Sequence, residues 1–399
     1  MDFTLAPEEE AYRARVAEFV ADRILPMEDD PAHFSLHGNI PEAPLAALRA
    51  EVKAAGLWAP NVPAALGGLG MSFCGLAAAY EEMNRARFGP AAFNAAAPDD
   101  GNMRLLAQIG TPAQQDWWLA PVVAGEMRSA FAMTEPHPGS GSDPSMMLTR
   151  AERVQGGWRI FGRKWFITGA EGAGRLIVMA RTSDDRRKGL TAFLFSAEQP
   201  GWEILRRIPI MGPEEHGGHC ELGFDGLEVP DENVLLDVGD GLKVTQIRLG
   251  PARLTHCMRW LGLAKRCMEI ASAYAAEREG FGMRLAARET VQVKLGDLAH
   301  RIEVGRLLTM KAAWLLDRGD RAKPAISMAK IHVADTLHRA ADDCIQICGA
   351  RGYSGDTALE WIYRYARQAR LVDGADEVHK MVLAGTYAAE GPAMWKWGA

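Results

Sequence analysis

Residues Met133–Asp143 read Met-Thr-Glu-Pro-His-Pro-Gly-Ser-Gly-Ser-Asp. Two prolines, two glycines and six hydrogen-bonding side chains fall within eleven positions. Such a loop offers backbone N–H groups and hydroxyls to an anionic or polar ligand at close range. Most Gly/Pro/Ser loops are plain surface turns, so this run alone leaves both readings open. Two further runs carry groups that can do chemistry: Phe161-Gly-Arg-Lys-Trp-Phe-Ile-Thr-Gly-Ala170 and Val372-Asp-Gly-Ala-Asp-Glu-Val-His379. Asp373 reads two ways. Its carboxylate can take a proton, or it can cap the helix that the acids Asp376 and Glu377 suggest. His256 can line a pocket or sit satisfied in a core.

The elements that must position these residues change character along the chain. The first third is helical in pattern. Tyr12, Val16, Phe19 and Val20 recur at helical spacing in a helix over Glu8–Leu25, and Pro41–Ala55 has proline near its start and Gly56 past its end. Leu76–Arg85 and Pro112–Leu119 continue the pattern, and no strand hairpin is expected before residue 128. Leu148–Val154 and Trp158–Phe161 then read as strands around a Gly156-Gly157 turn. Short β-rich runs follow at 176–180, 192–195, 203–205 and 221–229, close enough together for a small barrel or sandwich. Long helices over Arg253–Arg278, through Val291–Ile302 and over Ala325–Ile347, with two shorter ones flanking Asp373-Gly374, predict a four-helix bundle. The fold class is therefore α+β with segregated layers: helical over 1–128, a β-barrel or sandwich over 129–236, and a helical bundle over 237–399. No Gly-x-Gly-x-x-Gly follows a strand, which argues against a dinucleotide-binding α/β domain.

Composition narrows the function. The chain has 399 residues, 24% charged and 48% hydrophobic, which suits two or three soluble domains. The net charge of −6 gives no field that would favour nucleic acid. The tight basic run Arg186-Arg187-Lys188 reads as a solvated loop. Six cysteines without a Cys-x-x-Cys pair read as free thiols of a reducing compartment. His216, His219 and His256 lack metal-ligand spacing, so no metal is expected. The acidic start without an apolar signal region, and no run approaching a membrane span, predict a cytoplasmic protein that binds no membrane.

The three runs together resemble the acyl-CoA dehydrogenase family, with its Thr-Glu-Pro-x-x-Gly-Ser-Asp, Gly-x-Lys-x-Trp-Ile-Thr and acid-Gly turn that carries the catalytic base. Phe93–Met103, Leu249–Arg259 and Asp373–His379 resemble a branch that includes animal proteins fused to a kinase-like domain; no such fusion is expected here. The resemblance implies helical, β and helical-bundle domains, non-covalent FAD between the β domain and the bundle, and fatty-acid breakdown by α,β-dehydrogenation of an acyl-CoA. It also implies a homo-oligomer, dimer or tetramer, that passes electrons to an electron-transfer flavoprotein. By resemblance, Phe131, Met133 and Thr134 approach the flavin ring, Gly141 and Ser142 lie near the flavin and the thioester, and Phe166, Ile167 and Thr168 cover the rest of the ring. Arg278, Phe281, Gln346 and Gly349 would grip the FAD of a neighbouring subunit. Ser142, Arg253 and His256 would face substrate, and Asp373 stands at the position of the catalytic base. Some family members carry the base instead where this chain has Ala252.

Several positions depart from the family pattern. The Thr-Glu-Pro loop holds two extra residues before Ser142-Asp143, Trp165-Phe166 places phenylalanine where tryptophan is usual, Ala350 replaces a glycine, and Tyr365 falls in the usual Arg-Asp-Ala. The base position holds aspartate where glutamate is usual. A nitroalkane oxidase, which also uses an aspartate base, an acyl-CoA oxidase, or a non-catalytic DNA-binding relative are the alternatives. Length argues against the longer oxidases, and the acidic balance against DNA.

Overall fold

The computed structural model describes residues 2–35, 37–185 and 188–395. Arg186 and Arg187 of the basic run lie outside the described residues. The chain divides into two compact units, one of residues 1–34, 72–90 and 253–399, the other of 35–71 and 91–252.

In the first unit, Pro7–Phe19 is an α-helix that continues with wider π winding over Val20–Ile24. Tyr12, Val16, Val20 and Ile24, four residues apart, are all buried. They form the single apolar stripe that makes this acidic helix pack. Phe73–Met83 lies beside it and is capped by Ser72, whose hydroxyl accepts from the Gly75 N–H at 3.0 Å. Four helices build the C-terminal part: Gly241–Glu277, of which residues from 253 on belong to this unit, Glu289–Asp317, Lys323–Cys348 and Asp376–Glu390. The first of these starts twelve residues before the expected Arg253. Pro251 lies inside it; a proline removes one helical N–H, and the helix runs on through that loss here. At Gly305 three helices converge, and a Cβ would lie 3.0 Å from Leu261 and 3.2 Å from Val333.

The second unit is built on one seven-stranded sheet. Its strands are β1 (Arg128–Ala132), β2 (Arg150–Val154), β3 (Gly157–Thr168), β4 (Ala173–Arg181), β5 (Leu190–Ser196), β6 (Trp202–Arg207) and β7 (His219–Pro230). The order is β1-β4-β2-β3-β7-β6, with β5 antiparallel to β4, while β1 runs parallel to β4. The β2–β3 hairpin turns at Gln155-Gly156, and Gly157 already pairs with Val154. β3 is far longer than the four residues that alternation suggested, because its ladder with β7 runs on to Thr168↔His219 across two irregularities. The sheet curls upon itself: Phe195 of β5 meets Trp202 of β6 at 5.4 Å and Phe224 of β7 at 6.0 Å. Ile160, Val178, Phe193, Leu222 and Leu227 fill the concave core. Each such side chain contributes about 1.5–3 kcal/mol by leaving water.

All six cysteines are free, and five are buried. No helix among the described residues is long and apolar enough to cross a membrane.

Close helix packing gives a test at Gly262, in the Gly241–Glu277 helix. A Cβ there would overlap the Glu81 carbonyl oxygen and lie 2.8 Å from the Asn84 carbonyl carbon. Alanine would gain about 1 kcal/mol of helix propensity, but overpacking against backbone costs about 1–3 kcal/mol. Gly262→Ala should therefore lower the urea midpoint at unchanged slope. A higher midpoint would mean the two helices separate freely.

Candidate functional site

The Thr-Glu-Pro loop is fixed from inside by its own glutamate. The Glu135 carboxylate accepts from the backbone N–H groups of Leu148 at 2.7 Å, Thr149 at 2.8 Å and Ser140 at 3.2 Å. It also pairs with Lys164 of β3 at 2.9 Å, and both side chains are buried. Lys164 reaches on to the Met133 carbonyl at 3.0 Å. Burial alone would raise the Glu135 carboxyl, but Lys164 and the loop amides outweigh it and hold it below its ordinary value. Burial pulls Lys164 down to about 8, against the attraction of Glu135. At neutral pH both are charged, and together they tie the exit of β1 to β3.

This tie positions the residues expected at a flavin ring. Phe131 lies on β1 with the Arg248 guanidinium 5.0 Å from its ring centre. Met133 is half-buried, and Thr245 Oγ1 lies 4.0 Å from its sulfur. The Trp165 N–H donates to the Thr134 carbonyl at 2.8 Å. Phe166 has left-handed backbone, φ +55°, and its ring is 41% exposed, edge-on to Trp165 at 4.6 Å. A bulky residue in that conformation is unusual and turns the ring off the strand. Ile167 is buried, and Thr168 Oγ1 lies 3.1 Å from His219 Nδ1. The loop tip differs: Gly141 and Ser142 are exposed, whereas Ser140, two residues earlier, is buried. Ser140 stands at the spacing of the family serine, so the two extra residues bulge outward after it.

The residues expected at a neighbouring subunit are exposed. Arg278 lies just past the long helix, followed by Phe281 at the tip of a short hairpin (Glu279–Gly280 with Met283–Arg284). Phe281 is fully exposed with φ +52°. Gln346 is exposed near the end of the Lys323–Cys348 helix, and Gly349 ends that helix at φ 60°, ψ −135°, a conformation that favours glycine.

The third run forms a tight turn in the other unit. Asp373 and Gly374 both have positive φ, +51° and +99°. A Cβ on Gly374 would lie 3.1 Å from His379 Nε2, so the turn and that histidine are closely packed. Arg253 Nε donates to the Asp373 carbonyl at 2.7 Å. His256 Nε2 lies 3.3 Å from Asp373 Oδ2, and both side chains are mostly buried. The capping reading of Asp373 is not realised: the following helix starts from Ala375 without a side-chain cap. Asp376 serves the fold, pairing through one oxygen with Lys330 at 3.1 Å and through the other with Arg370 at 2.9 Å. His379 contacts Ser327 at 3.1 Å, and burial, helped by Arg253 and Lys330, lowers it to about 4. It is therefore neutral at pH 7. Ala252 is buried and has no acid to offer. Glu135, Lys164 and His379 lie in the motifs and Lys330 far from them in sequence, yet only their pairing in space reveals what they do.

Comparison with known proteins agrees along the whole chain. Residues 6–126, 130–227 and 239–387 match the N-terminal, middle and C-terminal domains of acyl-CoA dehydrogenase. Acyl-CoA dehydrogenase family member 11 of Gallus gallus is 36% identical over 385 residues, covering 93% of this chain and 49% of that protein. The chain thus spans about half the length of such curated relatives. FadE2 of Mycobacterium tuberculosis is 35% identical over 401 residues, covering 96% of each protein. The structure of butyryl-CoA dehydrogenase from Megasphaera elsdenii superposes with a TM-score of 0.86 at 28% identity, covering 97% of this chain and 100% of that one.

The buried clamp can be tested directly. Lys164→Met leaves the Glu135 carboxylate buried with amides alone and should destabilise the protein by about 3–5 kcal/mol. Adding Glu135→Gln removes the stranded charge and should recover part of that loss. Equal stability of wild type and Lys164→Met in chemical denaturation would show that the pair is not the anchor.

Proposed function

Because the chain belongs to the acyl-CoA dehydrogenase family, we propose that it is an FAD-dependent enzyme that removes an α-proton and a β-hydride from an acyl-CoA thioester. The observation that carries this is the Asp373 turn, which holds a carboxylate at the family's base position between Arg253 and His256. A half-exposed Phe166 ring, with Thr168 two residues on and Thr134 bonded to the backbone of the adjacent Trp165, suits a planar ring with a polar edge. Those residues, with Phe131, Met133, Ile167 and the Ser140–Ser142 stretch, would hold non-covalent FAD. When bound, FAD supplies the hydride acceptor for the β-carbon.

The chain's own part is acid–base and positional. Asp373 takes the α-proton, and its carboxylate becomes a carboxylic acid. Substrate that excludes water would raise its basicity, because a desolvated carboxylate gains more by protonation. Aspartate is one methylene shorter than glutamate, so the turn must bring the carboxylate forward. The acyl group is the open specificity. Butyryl-CoA, which names one structural relative, is a sensible first substrate in a panel that includes branched and hydroxylated acyl groups. Electrons would leave to an electron-transfer flavoprotein. An aspartate base also keeps a nitroalkane-oxidase-like reading alive, and nitroalkanes belong in the same panel.

Asp373→Asn retains the side-chain shape but cannot accept the proton. Under nitrogen, its flavin bleaching by the best acyl-CoA should slow by at least about 10²-fold with near-normal binding. The exposed Glu377→Gln should stay close to wild type. Wild-type bleaching by Asp373→Asn would mean that the base is another group, and bleaching by nitroalkanes alone would replace the dehydrogenase reading.

We also infer that Arg278, Phe281, Gln346 and Gly349 complete the FAD site of a neighbouring copy. Arg278→Ala removes a charge-assisted bond to phosphate worth roughly 1.5–3 kcal/mol, so FAD retention should weaken by about tenfold or more. A monomer in sedimentation with FAD fully bound would exclude this arrangement.

A further inference from the structure

The Asp373 carboxylate has a partner that a lone-base description leaves out. His256 lies one turn after Arg253 on the long helix, and its ring stacks on Trp260 at 5.1 Å with an interplanar angle of 22°. Arg259 presents Nη2 3.3 Å from His256 Nδ1. A guanidinium can only donate, so this contact makes Nδ1 the acceptor and leaves the proton of a neutral ring on Nε2. Nε2 is the atom that faces Asp373 Oδ2 at 3.3 Å. The imidazole is thus bracketed by Arg259 at one nitrogen and by the Asp373 carboxylate at the other, the second contact being close but not aligned as a hydrogen bond. From the backbone side, Arg253 holds the Asp373 carbonyl at 2.7 Å.

We propose that His256 is the positioning residue of the base: its Nε2–H closes on Asp373 Oδ2 when substrate binds, as catalytic hydrogen bonds tighten in the complex, and so fixes the direction from which the carboxylate meets the α-proton. This deepens, and rests on, the reading of Asp373 as the α-proton acceptor. It also accounts for the short acid: a side chain with one methylene fewer has less reach to correct its aim, and the histidine fixes that aim. No proton need leave His256. The α-proton moves to Asp373, whose negative charge is neutralised. Other titratable or charged groups around this pair are Arg253, Cys257 and Arg259 on the same helix, Lys330 on the Lys323–Cys348 helix, and Asp376 and His379 beyond the turn.

The test compares His256→Phe, which keeps a flat ring against Trp260 but has no N–H, with His256→Gln, whose amide restores a donor. Both are studied as holoenzymes under nitrogen with the best acyl-CoA of the panel. Flavin absorbance and melting temperature establish folding, and if His256→Phe fails to fold, His256→Met takes its place. The limiting rate of flavin reduction should fall about tenfold in His256→Phe with little change in KM, since orientation is lost and binding is not. The pH midpoint of that rate should move up, because a carboxylate deprived of a donor holds its proton more tightly. His256→Gln should regain most of the rate and return the midpoint toward wild type. A β-thia acyl-CoA, which can lose its α-proton but has no β-hydride to give, should form its flavin charge-transfer band at higher pH in His256→Phe. A wild-type rate and midpoint in His256→Phe, beside an inactive Asp373→Asn, would overturn the positioning role and leave the base intact. A rise in KM alone would make His256 a substrate contact and also overturn it. Full activity of Asp373→Asn would remove the base itself, and the proposal with it.

Discussion

The ion pair of Glu135 and Lys164 is the constraint on which the β unit depends. Neither charge reaches water, so each is tolerable only while the other is present. Glu135 gathers the amides of Ser140, Leu148 and Thr149, and Lys164 gathers the Met133 carbonyl. A loop of eleven residues with two prolines would otherwise sample many shapes. Here its inner half is wound around one carboxylate, and its outer half, at Gly141 and Ser142, is left to face solvent. The residues on either side, Phe131 on one strand and Phe166 on another, inherit their positions from that single contact.

The helical unit solves the same problem around the Asp373 turn. Asp376 binds Lys330 and Arg370, and thereby fixes the start of the last helix. His379 packs up against Gly374 from within that helix. Arg253 and His256, from a different helix, reach the turn from the other direction. The turn that carries this carboxylate is thus braced from two sides, from within by the buried Asp376, Lys330 and His379.

Much of this was legible in the sequence because it is periodic or because it is a motif. The stripe of Tyr12, Val16 and Val20, and the order of helices, strands and helices, follow from local pattern. So does the presence of an acid-Gly turn at Asp373. What escaped was set by tertiary contact. The start of the long helix at Gly241 was hidden by Pro251, whose local preference is overridden by packing. The full length of β3 was hidden because its ladder with β7 slips between Ile160 and Phe161 and again between Lys164 and Ile167, which interrupts the alternation. The bulge that exposes Ser142 and buries Ser140 depends on how Glu135 gathers the amides of Ser140, Leu148 and Thr149, which no spacing rule specifies. The closeness of His256 to Asp373 spans more than a hundred residues and has no local signature.

The left-handed backbone at Asp373 has a consequence for how the site can change. Among residues with a side chain, aspartate and asparagine are several-fold enriched in that conformation, whereas longer acids are not. The shorter acid is therefore the one that the turn itself accommodates. Lengthening it to glutamate would move the carboxylate and give up that backbone preference in one step. The identity of the acid at this turn and the shape of the chain that carries it are, in this protein, coupled.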